Sequence, residues 1–341
     1  MKQDQLLIAI KNLKTYFFLD EGTVRALDGV DFDIWRGQTI GVVGESGCGK
    51  SVTARSILRI VPRPGRIVDG TITFYRRLHD NGAGQIEEID LTKLDPTGPE
   101  MRNIRGAEIA LVPQEPMASL SPVHTIGNQI CEAIMLHQKV GKEEARVKAI
   151  EMLDRAGFPQ PKQRIDSYPH QLSGGLRQRA VIAMGLSCHP SLLIADEPTT
   201  ALDVTTEAQI LRLMRSLQHD LGMAIMFITH NLGVVAQMCE DVVVMYMGRI
   251  VEEAPVDDIF HNPKHPYTQA LLRSIPRLGQ KTKERRQLES IRGTVPDPYT
   301  RPRGCAFHPR CTQRIRGVCD QTEPPWLEVE PGHKVRCVLY G

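Results

Sequence analysis

The chain has 341 residues, more than one typical domain, and its basic and acidic side chains nearly cancel to a formal net charge of +2, which removes any global electrostatic reason to expect a nucleic-acid partner. Its most apolar stretches, AVIAMGLSC at 180–188, MAIMFIT at 223–229 and VVVMYMG at 242–248, fall short of the ~20 residues that cross a bilayer, so the chain is not expected to form a pore by itself. Eight cysteines without a secretory leader predict a reducing compartment, where grouped cysteines more often hold metal than pair as disulfides.

Taken in order, MKQDQLLIAIKNLK carries an apolar patch interrupted by Lys11 and reads as a first strand rather than a leader. Alternating apolar residues over 6–44 predict further strands. SVTARSILRIV, after GESGCGKS at 44–51, predicts an amphipathic helix. The turn-rich, charged stretch 71–106 predicts a β-rich insertion with an exposed hairpin, followed by a strand, EIALVPQ. Helical periodicity over 124–158 predicts a helical subdomain, about 115–180, that ends in LSGGLRQR at 172–179. LLIADE, MAIMFITH and DVVVMYMGRIVEEA then alternate with VTTEAQILRLMRSLQHDL and NLGVVAQM, the rhythm of a mainly parallel sheet whose ligands sit at the carboxyl ends of its strands. After residue 255 prolines recur, KTKERRQ forms a basic run that reads as a solvated linker, and the last long periodic segment is HPYTQALLRSIP.

GESGCGKS fits the phosphate-loop pattern, in which glycines let backbone N–H groups wrap phosphates, the lysine reaches the outer phosphates and the serine holds Mg²⁺. Gly44, Glu45, Ser46, Gly47, Cys48, Gly49, Lys50 and Ser51 are therefore the expected nucleotide cradle. Cys48 beside Lys50 sits in an electropositive setting that favours a reactive thiolate; a small residue at a variable position is the plainer reading. LLIADE delivers two adjacent carboxylates, Asp196 and Glu197, to the end of a buried strand. Ser173, Gly174 and Gly175 open a second helix whose N-terminus suits an anion.

Together these motifs resemble the ATP-binding-cassette (ABC) family, and the resemblance covers essentially the whole chain. It implies a P-loop NTPase α/β fold with a mainly parallel sheet, an antiparallel β subdomain and a helical subdomain over 1–255, and an accessory domain over 256–341. It implies ATP as substrate and Mg²⁺ as cofactor, with Mg²⁺ held through Ser51, Gln114 and Asp196, and with Glu197 as general base or water-polarising group. Gln114 resembles the Q-loop glutamine and His230 the switch histidine, so Glu197, His230 and Gln114 form the expected catalytic set. Ser173, Gly174, Gly175 and Gln178 resemble the signature that meets ATP across a sandwich dimer, with Leu176 where glutamine is commonest. Asp203 resembles the D-loop aspartate. For stacking of the adenine, Phe17 is the first choice and Tyr16 the second, because neighbours on a strand point to opposite faces.

QEPMASLSP, EPTTALDVT and HPYTQALLRSIP followed by CAFHPRC resemble the oligopeptide, dipeptide and nickel importer branch. That branch implies a second ABC ATPase subunit, two transmembrane permeases, an extracytoplasmic solute-binding protein and a peripheral place on the cytoplasmic face of the membrane, with no nucleic-acid partner. Nickel chelates and oligosaccharides are the alternative cargoes. A soluble ABC ATPase acting on nucleic acid or the ribosome is the alternative class, disfavoured because no second cassette or long coiled-coil insertion is visible. Cys305, Cys311, Cys319 and Cys337, spaced C-x5-C-x7-C-x17-C, suit a four-iron, four-sulfur cluster, with Zn²⁺ as the alternative. A metal would supply folding energy that a tail poor in aliphatic residues lacks.

Overall fold

The computed structural model describes residues 5–78, 85–200, 202–274 and 291–341. The basic run at 281–287 therefore lies outside the described residues, as does the tip of the expected hairpin.

Two long antiparallel strands, β1 (Leu6–Leu19) and β2 (Gly22–Trp35), lead to the short β3 (Thr39–Val43), the phosphate loop and helix α1 (Lys50–Ile57). The insertion follows as the hairpin β4 (Gly65–Arg77) and β5 (Ile86–Asp90), then α2 (Pro99–Ala107) and β6 (Ile109–Val112). The helical segment comprises α3 (Pro116–Ser119), α4 (Ile126–Gln138), α5 (Lys142–Arg155), α6 (Pro161–Arg164) and α7 (Gly174–Leu186). The alternating half runs β7 (Leu192–Asp196), α8 (Val204–Leu221), β8 (Ala224–Ile228), α9 (Leu232–Met238), β9 (Asp241–Tyr246) and β10 (Arg249–Pro255). The tail contributes α10 (Val256–His261), α11 (Pro266–Arg273) and a final hairpin, β11 (Leu327–Glu330) and β12 (His333–Val335).

These strands make two sheets, an antiparallel one ordered β2-β1-β4-β5 and a mixed one ordered β11-β12-β10-β9-β3-β8-β7-β6. From β9 to β6 the pairing is parallel. Strands β3, β7 and β8 are buried at every position, which is why they read as unbroken apolar runs: a parallel strand is covered on both faces. The two-residue period then divides them between two cores. Leu193 and Ala195, with Ile225 and Phe227, pack toward the helical segment. Leu192 and Ile194, with Met226 and Ile228, pack toward α1 and the antiparallel sheet.

The tail departs from its expected separateness. Strand β12 pairs antiparallel with β10, Glu252 opposite Val335 and Glu253 opposite Lys334, so the last hairpin extends the core sheet. Ala306 and Phe307 belong to the same apolar cluster as Val244 and Tyr246. A segment with few aliphatic residues gains more by joining an existing core than by building a small one. At the join, the fully buried Glu252 carboxylate accepts from the backbone N–H groups of Lys264 (2.6 Å) and His265 (3.0 Å) and lies 2.8 Å from Nε2 of the fully buried His333.

Candidate functional site

The phosphate loop is shaped by close backbone approach. Gly44 has φ +151° and a Cβ there would stand 2.2 Å from the Met245 carbonyl oxygen, while one on Gly49 (φ +110°) would stand 2.6 Å from that of Ala26. Both positions therefore exclude a side chain twice over, by space and by backbone conformation. Lys50 opens α1 and folds back over its own loop, its Nζ donating to the carbonyls of Gly44 (2.8 Å) and Glu45 (3.1 Å). Burial pushes the Cys48 thiol up despite Lys50 beside it, so the reactive-thiolate reading fails: desolvation outweighs the one nearby cation.

Ser51 Oγ, on the first turn of α1, donates to Asp196 Oδ1 at 3.0 Å. Asp196 ends β7 and is buried. Burial raises its pKa, and the Ser51 hydrogen bond only partly offsets that. A hydroxyl facing a carboxylate that burial leaves under-compensated is an oxygen donor set that fits a hard divalent cation.

One residue on, Glu197 takes φ +47°, a left-handed conformation that turns its side chain off the end of the strand. Its backbone N–H donates to Ile228 O on the adjacent β8 at 2.8 Å. Three groups then converge on its carboxylate: Gln114 Nε2 at 3.0 Å, Thr200 Oγ1 at 3.0 Å and His230 Nδ1 at 3.2 Å. Gln114 follows β6, Glu197 follows β7 and His230 follows β8, neighbours in the sheet, so parallel register brings residues far apart in sequence to one edge. Thr200 was not anticipated. The signal was its place three residues after Glu197, within reach across one tight turn.

Ser173 and Gly174 are exposed, and Ser173 Oγ caps α7 by accepting from the Leu176 N–H at 3.4 Å. Gln178, grouped with them from the sequence, lies deeper. It is only 1% exposed, on the face of α7 that packs inward with Val181 and Ile182. Asp203 caps α8, accepting from the Thr206 N–H at 3.0 Å and the Thr206 hydroxyl at 2.7 Å. The adjacent aromatics are separated as expected: the Tyr16 hydroxyl donates to Asp28 at 2.7 Å, while Phe17 packs on Gly65 and Val61 is close by. Burial and the Asp28 bond raise the Tyr16 pKa to about 12.

In the tail, Cys305, Cys311, Cys319 and Cys337 line one pocket with His265, Phe307 and His308. Among the described residues, however, no group of three or more His, Cys, Asp or Glu side chains is arranged to hold a metal ion. Burial raises the pKa of Cys305, Cys311 and Cys337, the last to about 11. The tail also touches the phosphate loop, a contact with no trace in the sequence: Tyr267 and Arg310 both meet Glu45.

Residues 27–200 match the ABC transporter family, and residues 251–319 match the C-terminal region of oligopeptide/dipeptide transporters. The chain is 48% identical to a probable peptide ABC transporter ATP-binding protein, y4tR, of Sinorhizobium fredii, over 97% of this chain and 94% of that one. It is 47% identical to the oligopeptide transport ATP-binding protein AppD of Bacillus subtilis, over 98% of this chain and 97% of that one. Among solved structures, the dimeric ATP-binding cassette MJ0796 bound to ADP and phosphate superposes with a TM-score of 0.62 at 27% identity, over 73% of this chain and 98% of that one.

Proposed function

Because the chain belongs to the ABC transporter ATPase family and carries the oligopeptide/dipeptide transporter C-terminal region, we propose that it powers peptide import, with Glu197 as the base for ATP hydrolysis. The observation that carries the residue assignment is the convergence of Gln114, Thr200 and His230 on the Glu197 carboxylate beside the Ser51–Asp196 pair.

Ser51, Asp196 and Gln114 would hold Mg²⁺, which would supply charge neutralisation for the phosphates. Lys50 leaves the carbonyls of Gly44 and Glu45 for the outer phosphates, and Gly47, Cys48 and Gly49 present backbone N–H groups to them. Glu197 accepts a proton from the attacking water as its oxygen bonds to the γ-phosphorus and the bond to the β-phosphate oxygen breaks, giving ADP and phosphate. Gln114 and Thr200 hold the carboxylate in place, and His230, its side chain 64% exposed, meets the γ-phosphate. Phe17 stacks on adenine. Ser173, Gly174 and Gly175 close the second ATP site from across a sandwich dimer, and Asp203 lies between the two.

The partners proposed are a second ABC ATPase, two permeases and an extracytoplasmic binding protein. Among the described residues no helix is long and apolar enough to cross a membrane, so attachment to the membrane is assigned to the permeases. The four tail thiols are kept as candidates for an iron–sulfur cluster, or Zn²⁺, on the strength of their shared pocket and all-sulfur donor set. Iron with acid-labile sulfide in anaerobically purified protein would support this, and metal-free protein would reduce them to packing residues.

The decisive experiment is Glu197→Gln in the assembled transporter. ATP turnover should fall about 100-fold or more with ATP binding retained, and uptake of labelled peptide into vesicles should stop. Unchanged turnover would remove Glu197 as the base. Uptake of a nickel chelate or an oligosaccharide instead of peptide would change the cargo and leave the ATPase assignment standing.

A further inference from the structure

The C-terminal region reaches the nucleotide cradle directly, through two side chains on Glu45. Arg310 lies in the loop between Cys305 and Cys311, and its side chain is only 4% exposed. Its guanidinium grips the Glu45 carboxylate in a fork, Nη1 to Oε2 at 2.6 Å and Nη2 to Oε1 at 3.0 Å, while its Nε donates to the Arg292 carbonyl at 3.0 Å. The Tyr246 hydroxyl stands 3.4 Å from Nη1. Tyr267, fully buried on α11, accepts a hydrogen bond from the Glu45 backbone N–H at 2.9 Å. Its ring and that of Tyr246 pack around Phe307, which also lines the thiol pocket. One loop residue is thus held by main chain and side chain at once, from a region more than 220 residues away in sequence.

Glu45 is an awkward residue for a polyphosphate cradle. It follows Gly44 directly, and an uncompensated carboxylate there would repel the phosphates that the loop must wrap. Two planar hydrogen bonds from a desolvated arginine both cancel that charge and fix its position, which a mobile lysine at the same place would do less well. We propose that Arg310 and Tyr267 are positioning residues for the phosphate loop: Arg310 neutralises Glu45, and Tyr267 fixes the Glu45 main chain, so that the C-terminal region sets the affinity of the cradle for ATP. The inference rests on the ATPase reading but not on the cargo or on any metal in the tail.

The test compares full-length protein with Arg310→Ala, Arg310→Lys, Tyr267→Phe, Glu45→Gln and the double variant Arg310→Ala/Glu45→Gln, measuring Mg·ATP dissociation constants and steady-state turnover. Arg310→Ala should weaken ATP binding roughly tenfold, the loss of one charge-assisted pair, with a much smaller change in kcat. Arg310→Lys should recover part of the loss. In the double variant affinity should return to that of Glu45→Gln, because the offending charge is gone. Tyr267→Phe keeps the ring and should weaken binding a few-fold, which carries the comparison if Arg310→Ala does not fold. Affinity within twofold of the starting protein in both Arg310→Ala and Tyr267→Phe would overturn the proposal. So would a loss in Arg310→Ala that Glu45→Gln fails to reverse, since that marks a purely structural residue. If the starting protein itself neither bound nor hydrolysed ATP, the ATPase reading would fall and the clamp with it; ATP turnover by the starting protein with unaffected variants sinks the clamp alone.

Discussion

At the scale of single residues, the strand-end edge of the sheet is organised by how one carboxylate is held. Glu197 has little freedom: its left-handed backbone, its N–H bond to Ile228 and three side-chain partners define where its oxygens lie. Thr200→Val preserves shape and removes one of those partners. Turnover should fall roughly tenfold, the scale of one hydrogen bond to a charged group, while ATP affinity stays unchanged; equal losses in both would mean that Thr200 shapes the cradle instead. Gly44, Lys50, Ser51, Asp196, Glu197 and His230 could be singled out in the sequence because the motifs that hold them pair particular residue types with particular spacings. Thr200 was not singled out, because a threonine after a turn has no distinguishing chemistry until its partner is seen. The burial of Gln178 was hidden for a related reason: motif proximity does not say which face of a helix is buried, and here Gln178 faces inward.

At the scale of elements, the same residues that carry motifs also terminate helices. Ser173 and Asp203 are the N-caps of α7 and α8, each satisfying a backbone N–H that the helix leaves unpaired. Asp203→Ala should lower stability by about 1 kcal/mol, read by denaturant unfolding. Asp203→Asn should keep most of that cap. If turnover nevertheless falls in Asp203→Asn, the carboxylate has a role between the two ATP sites; if stability and turnover are both retained, capping is its whole contribution. The elements themselves followed from periodicity. Buried parallel strands show as apolar runs, and α8, with Ile210, Leu211, Met214 and Leu217 buried, shows the three-to-four spacing of a helix packed on one side.

At the scale of the whole molecule, the tail is tied to the core by buried polar contacts, and one of them predicts a pH dependence. His265 is fully enclosed, and its Nδ1 accepts from the Tyr267 N–H at 3.0 Å. Burial lowers its pKa from the ordinary 6.5 to about 4, against the opposing pull of Glu252. Between those values the unfolded chain binds the proton and the folded one does not. The contribution of His265 is therefore complete above pH 6.5 and is lost progressively as pH falls toward 4. His265→Asn keeps an acceptor for the Tyr267 N–H and should flatten the fall in melting temperature from pH 7 to pH 5; an unaltered acid slope would assign that sensitivity to other groups.

By itself the sequence determined the nucleotide chemistry and the α/β core, because phosphate binding and parallel-strand burial both impose local patterns that survive in one dimension. Which residues meet was decided only in three dimensions. The extension of the core sheet by β12, the inward face of Gln178 and the reach of Arg310 and Tyr267 to Glu45 all depend on long-range register and packing. A charged pair more than 260 residues apart leaves no periodic trace, since its energy comes from desolvation and geometry that exist only once the chain has closed on itself.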